Sequence, residues 1–148
     1  MQPIDFEIST DPGKLDIELI HRYLSEEAYW CKGISKEVVM ESIRNSLNFG
    51  LYDNGQQIGY ARVISDYATI AYLGDVFILP AYRGKGLSKK LMAEVMIHPR
   101  LQGLRRWILL TSDAHGLYKQ FGWRPIDSPD KWMEKHEKKI YQNNINDR

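Results

Sequence analysis

One turn constrains this chain more than any other stretch: Pro80-Ala81-Tyr82-Arg83-Gly84-Lys85-Gly86-Leu87-Ser88, set between the mostly apolar run Leu73 to Leu79 and a helical-looking segment from Lys89 to Ile97. A strand that enters such a turn and a helix that leaves it orphan several backbone N–H groups at the helix N-terminus, where the dipole favours an anion. Glycine at two alternate positions removes the side chains that would crowd that anion. The pattern predicts a cradle for a phosphate or diphosphate.

The charge distribution agrees with that reading. The net charge of +1 over 148 residues gives no reason to expect nucleic acid as a partner. Locally, seven Lys/Arg residues fall between Arg83 and Arg106 against Glu94 alone. A solvated helix face is the plain explanation of such a run, and the glycines tilt it toward a phosphate ligand.

Other features bound the class. The length suits one domain with a real core, so residues 1–148 are read as a single domain whose polar end, 143–148, frays. Cys31 is the single cysteine, which excludes an internal disulfide and a Cys-based metal cluster; no metal is expected. The first residues mix Asp5 and Glu7 with isolated apolar positions, unlike a signal peptide, and no stretch is apolar enough to span a membrane. A cytoplasmic address is the default.

Periodicity supplies the elements. Ile4, Phe6 and Ile8 alternate as a strand, and Leu15 to Glu27 carries one helical apolar stripe. Ser35 is placed to cap a second helix containing Val38, Val39, Ile43 and Leu47. Phe49 to Tyr52 and Gln57 to Ile64 flank Asn54-Gly55, a hairpin turn. Ala68 to Leu79 reads as a strand covered on both faces, and Trp107 to Leu110 as another. Asp113 is expected to cap a short helix that runs to Phe121 and stops at Gly122. Trp123 to Ile126 and Lys131 to Lys135 are further strand candidates. The order is that of one mixed α/β domain.

Spacing then separates three glycine-rich loops. A Walker-type loop needs Gly where Leu79 stands and Ser or Thr where Gly86 stands, and a dinucleotide fingerprint needs a third Gly at Lys89. The remaining pattern resembles the GNAT superfamily of N-acetyltransferases, in which Val/Ile-x-Pro-x-x-Arg-Gly-x-Gly-x-Gly/Ala forms the pyrophosphate loop for acetyl-CoA. Here it runs from Ile78 to Ser88, with Ser88 in the final small position. A second signature, Tyr-x-x-Phe/Leu-Gly-Phe, is matched by Tyr118-Lys119-Gln120-Phe121-Gly122-Trp123.

That resemblance implies a mixed, mostly antiparallel sheet flanked by helices, with central strands splayed to form an acetyl-CoA cleft. Arg83, Gly84, Lys85, Gly86, Leu87 and Ser88 are then expected at the diphosphate, with the side chains of Arg83 and Lys85 adding charge. Backbone groups of Phe77 and Ile78 are expected along the pantetheine arm. Thr111, which stands where the family often has Asn, is placed near the same arm. Tyr118 maps onto the tyrosine beside the sulfur, where a protonated phenol can serve a departing thiolate.

Asp75, inside an apolar strand, is the expected base, on the condition that no cation pairs with it; a structural carboxylate is the competing reading. The aromatics Tyr29, Trp30, Tyr52, Tyr60 and Tyr67 are candidates to hold an amine, with Trp30 and Tyr60 foremost, although such residues are more often core. The implied reaction is acetyl transfer from acetyl-CoA to a small-molecule or peptide amine in a ternary complex. A non-catalytic acyl-CoA-binding module on the same fold is the alternative, and a homodimer is left open.

Overall fold

The computed structural model describes residues 6–142, so Ile4 and the polar end 143–148 lie outside the described residues. Five strands form one sheet: β1 (Phe6–Ser9), β2 (Leu47–Asp53), β3 (Gln56–Ser65), β4 (Ile70–Ile78) and β5 (Arg106–Leu109). They lie side by side in chain order, the first four antiparallel and β5 parallel to β4. A parallel neighbour needs a crossover, and α3 (Leu87–Ile97) provides it.

Helices cover both faces. On one, α1 (Ile17–Arg22), the turn that follows it and α2 (Lys36–Arg44) press Ile20, Leu24, Val39 and Ile43 onto Tyr60 and Phe77. On the other, α3 buries Leu87, Leu91, Met92 and Val95 against Phe49, Leu51, Val63 and Leu73. Each such fully buried side chain contributes about 1.5–3 kcal/mol. A short helix, α4 (His115–Lys119), adds Tyr118 to this second cluster.

Local chemistry sets the boundaries. Asp16 and Ser35 accept hydrogen bonds from Leu19 N and Val38 N, capping α1 and α2. The first helix relaxes into a π turn, Tyr23–Glu27, closed by Ala28 N on Tyr23 O at 3.0 Å. Asn54 and Gly55 both take positive φ, 50° and 87°, and Asp53 pairs with Gln56, as a two-residue hairpin turn requires.

Three expectations are corrected. Leu47 belongs to β2, because α2 ends at Arg44 and Asn45 caps it. Trp123 to Ile126 and Lys131 to Lys135 are not strands: the first stretch is irregular, and the second begins in a 3-10 turn, Pro129–Lys131. Pro125 interrupts the first and removes a ladder donor, and Pro129 starts the 3-10 turn that leads into the second. Asp113 does not cap α4; Ala114 stands at its N-cap with no side chain capping the helix, and the Thr111 hydroxyl accepts from Ala114 N at 3.0 Å in the turn just before it.

Two irregularities shape the sheet centre. Tyr60 opposes Phe77 but Arg62 opposes Gly74, so Asp75 and Val76 together face Ala61. This bulge holds Asp75 at φ 54°, a conformation that aspartate tolerates better than most side chains. In addition, the β4–β5 ladder stops at Leu73↔Leu109, while β4 runs on through Gly74, Asp75, Val76, Phe77 and Ile78. Past that rung the two strands part, which leaves one edge of β4 unpaired.

Candidate active site

The glycine turn lies at the end of that unpaired edge. Pro80–Tyr82 form a 3-10 turn, pinned by the Tyr82 hydroxyl on Asp53 Oδ2 at 3.0 Å. Gly84 and Gly86 take φ of 79° and 74°, and a Cβ on either meets nothing within 4 Å. Gly86 stands at the N-cap of α3 without a side chain to cap it. Among the described residues, no amide from Gly84 to Lys89 donates to a side chain or a turn carbonyl. An open hollow, rimmed by unspent donors at an eleven-residue helix's N-terminus, suits a diphosphate.

The basic side chains divide their roles. Arg83 does not reach outward as expected: Nε donates to Ile78 O at 3.0 Å and a terminal nitrogen to the Tyr23 hydroxyl at 2.8 Å. Its own amide donates to Pro80 O. Arg83 therefore staples the turn to the end of β4 and to the π turn. Lys85 stays at the surface, its Nζ 5.8 Å from the Tyr82 ring centre, free to swing onto an anion.

Phe77 and Ile78 have only backbone to offer a ligand. Both side chains are core, with Phe77 stacked on Tyr23 at 3.9 Å between ring centres. Their strand is the one left unpaired on the β5 side.

Tyr118 and Thr111 meet on a cleft of about 280 Å³, bounded also by Leu109, Trp107, His115 and Trp123. The cleft runs along β5 from Trp107 past Leu109, the residue of the last β4–β5 rung, and no residue of β4 lines it. The Tyr118 ring is buried, and burial with the nearby Asp113 charge pushes its pKa up. No partner within the described residues takes up its hydroxyl, which stays protonated and free to donate.

Asp75 is paired, so the condition set on it as a base is not met. Arg62 Nε lies 2.8 Å from Oδ2, and the Trp30 indole N–H donates to Oδ1 at 3.1 Å. The pair is mostly buried, with side chains 16% and 14% exposed, and Arg62 continues to the Ser46 hydroxyl. Arg62 also lines a groove of about 480 Å³ along α2.

The aromatic candidates separate cleanly. Trp30, 43% exposed, reaches Asp75, and the Tyr29 hydroxyl bonds Ser112 Oγ at 2.6 Å, so the α1–α2 loop ties to both sides of the strand gap. Tyr60 is not a pocket residue: it is wholly buried and its hydroxyl donates to Asn48. Tyr52 is buried too, and Tyr67 lies under the Arg100 guanidinium at 3.6 Å. Cys31 donates to Leu24 O, and burial with the Asp75 charge pushes its pKa up to about 12. A thiol so held is no nucleophile. Among the described residues no cluster of His, Cys, Asp and Glu is arranged for a metal, and no helix is long and apolar enough to cross a membrane.

Comparison with known proteins places this arrangement. The sequence pattern of the acetyltransferase (GNAT) family matches residues 17–123, which takes in both the glycine turn and Tyr118. A Gibberella zeae protein named as an acetyltransferase, FG08082, is 32% identical over 136 residues, covering 77% of this chain and 76% of its own. The crystal structure of a Xanthomonas campestris protein assigned to the GNAT family is 53% identical, with a TM-score of 0.90 over 93% of this chain and 96% of that one. A Clostridium acetobutylicum acetyltransferase crystallised with acetyl-CoA shares the fold at 16% identity, with a TM-score of 0.65 over 90% of this chain and 96% of that one. The chain belongs to the GNAT family of acetyltransferases.

Proposed function

We propose that this chain is an acetyl-CoA-dependent N-acetyltransferase that delivers the acetyl group directly to a primary amine within a ternary complex. The observation that carries the reading is the uncapped α3 N-terminus with two left-handed glycines, placed where β4 has lost its neighbour. The Clostridium relative, which shares the fold and holds acetyl-CoA, supports the choice of donor.

Bound acetyl-CoA supplies a thioester carbonyl open to attack by an amine. The amides of Gly84, Lys85, Gly86, Leu87 and Ser88 hold the diphosphate, with the Lys85 ammonium adding charge. Arg83 acts behind them by fixing the turn to Ile78 and Tyr23. The free edge of β4 at Phe77 and Ile78 takes the pantetheine arm as an added strand, and Thr111 borders the same path. As the amine nitrogen bonds to the carbonyl carbon and the carbon–sulfur bond breaks, the Tyr118 hydroxyl gives its proton to the departing sulfur.

Asp75 has both oxygens engaged by Arg62 and Trp30. It serves best as a positioning group that fixes the Trp30 ring at the acceptor mouth, and the amine arrives neutral and sheds its proton to water.

Release of free CoA thiol across a panel of small amines and peptides tests this. Turnover that collapses in Tyr118→Phe while CoA affinity holds supports it. CoA binding without turnover on any amine returns the alternative, a non-catalytic acyl-CoA-binding module.

A further inference from the structure

The cleft that Tyr118 lines has a wall of one-sided chemistry. Trp107, Leu109 and Trp123 give it a partly buried apolar surface, and His115, Lys119 and Arg124 stand exposed along it. Among the described residues, none of these three side chains enters an ion pair. No aspartate or glutamate lines the cleft, since Asp113 and Asp127 lie outside it. The Trp123 indole N–H is buried without a partner among the described residues, and a buried donor of that kind is relieved by an oxygen acceptor. The groove along α2 has the opposite character: Glu37 and Glu41 line it, and Tyr118 does not. The β5 cleft also adjoins the loop that carries Trp30, because Thr111 lines it and the next residue, Ser112, is hydrogen-bonded to the Tyr29 hydroxyl.

We propose that this cleft is the acceptor subsite and that it selects a small primary amine with an apolar body and a carboxylate, as an apolar amino acid has, the carboxylate meeting Lys119 and Arg124. This rests on the acetyltransferase reading. A volume of about 280 Å³ lies at the small end of ligand cavities, which run from roughly 300 to 1,000 Å³, so the acceptor is compact. Apolar side chains gain by covering an apolar body. A carboxylate gains charge-assisted hydrogen bonds from lysine and arginine that an uncharged group does not. Tyr118 and Lys119, consecutive in α4, both line the cleft, which suits an amine and a carboxylate carried on one carbon. A polyamine meets two cations and no carboxylate on the same wall and is disfavoured.

Phenylalanine and 2-phenylethylamine, which differ only in the carboxylate, test the selection by thiol release, with putrescine as the cationic member. In the wild-type protein kcat/KM for phenylalanine exceeds that for 2-phenylethylamine by about tenfold, and putrescine ranks last; in the double variant Lys119→Gln, Arg124→Gln the ratio falls toward one. A second measurement reads the cleft without catalysis: calorimetric titration with 3-phenylpropanoate, which keeps the ring and the carboxylate and lacks the amine, shows saturable binding that weakens about tenfold in the double variant. Equal rates for the pair, or a preference for putrescine, overturn the selection, and a carboxylate preference that survives the double substitution overturns its assignment to Lys119 and Arg124. Loss of CoA affinity in the same variant gives the two cations to the cofactor and overturns the proposal as well. If the wild-type protein binds CoA but transfers to no amine, the transfer reading fails and the acceptor role falls with it, while the 3-phenylpropanoate titration still decides whether the cleft takes a carboxylate.

Discussion

Arg62 on β3 and Asp75 on β4 form an ion pair at 2.8 Å across the one bulge that interrupts their ladder. The bulge turns the carboxylate toward Trp30 as well, so a single residue at φ 54° ties strand to strand and loop to sheet. Removing one partner leaves the other charge desolvated and alone. Asp75→Ala is expected to destabilise the protein by about 3 kcal/mol, whereas Asp75→Asn, which accepts the same φ and keeps an oxygen for Trp30, costs less. Urea unfolding midpoints of the two variants check the order. An Ala variant as stable as wild type removes Asp75 from the account of the bulge.

The glycine turn gives a sharper contrast. Gly86→Ala places a methyl in the hollow at the head of α3, and Gly55→Ala places one in the hairpin turn; both sites have positive φ and open space. Each substitution strains the backbone by about 1–2 kcal/mol. Only Gly86→Ala is expected to weaken CoA as well, by at least about tenfold. Calorimetric titration of both variants at matched folded fraction separates lost stability from lost binding, and equal affinities would move the diphosphate elsewhere.

Tyr118→Phe keeps the ring that packs against Trp123, 5.9 Å between centres, and removes only the hydroxyl. Turnover is expected to fall by about 10²- to 10⁴-fold with CoA affinity unchanged. Steady-state kinetics together with a binding isotherm test both halves. Full activity without the hydroxyl assigns the proton to water.

Stability should fall in alkali. Burial raises Cys31 from 9.0 and Tyr52 from 10.0, each to about 12, and pushes Tyr60 higher still. These folded-state pKa values exceed the unfolded ones, so above about pH 9 the unfolded chain releases protons that the folded chain retains. The stabilisation is whole below that pH and is lost as pH rises toward the folded values. Denaturant midpoints should drop between about pH 9 and pH 12, and Cys31→Ala should blunt the drop. A flat profile would contradict the burial of these groups.

Much of this was legible in local sequence. Ser35, Asn54-Gly55 and the turn from Arg83 to Ser88 act within a few residues of themselves, so composition and spacing sufficed to place a cap, a hairpin and an open glycine turn at the head of a helix. The failures involve distant partners. Nothing near Asp75 announces Arg62, thirteen positions earlier, and nothing near Tyr60 shows that its hydroxyl is spent on Asn48. Arg83 looked like a ligand side chain because its target, the Tyr23 hydroxyl, lies sixty positions away. The stretch after Gly122 has strand-like residues, but Pro125 and Pro129 lack the amides a ladder needs, and they outweigh the apolar pattern.

The central claim is that main-chain nitrogens at the head of α3 grip a diphosphate and so lead the rest of the cofactor along β4. Calorimetric titration with CoA and with pantetheine, which lacks the diphosphate, tests it most directly. The account predicts saturable binding of one CoA per chain and an affinity for pantetheine weaker by at least about a hundredfold. Equal affinities for the two, or no heat from CoA at all, would contradict it.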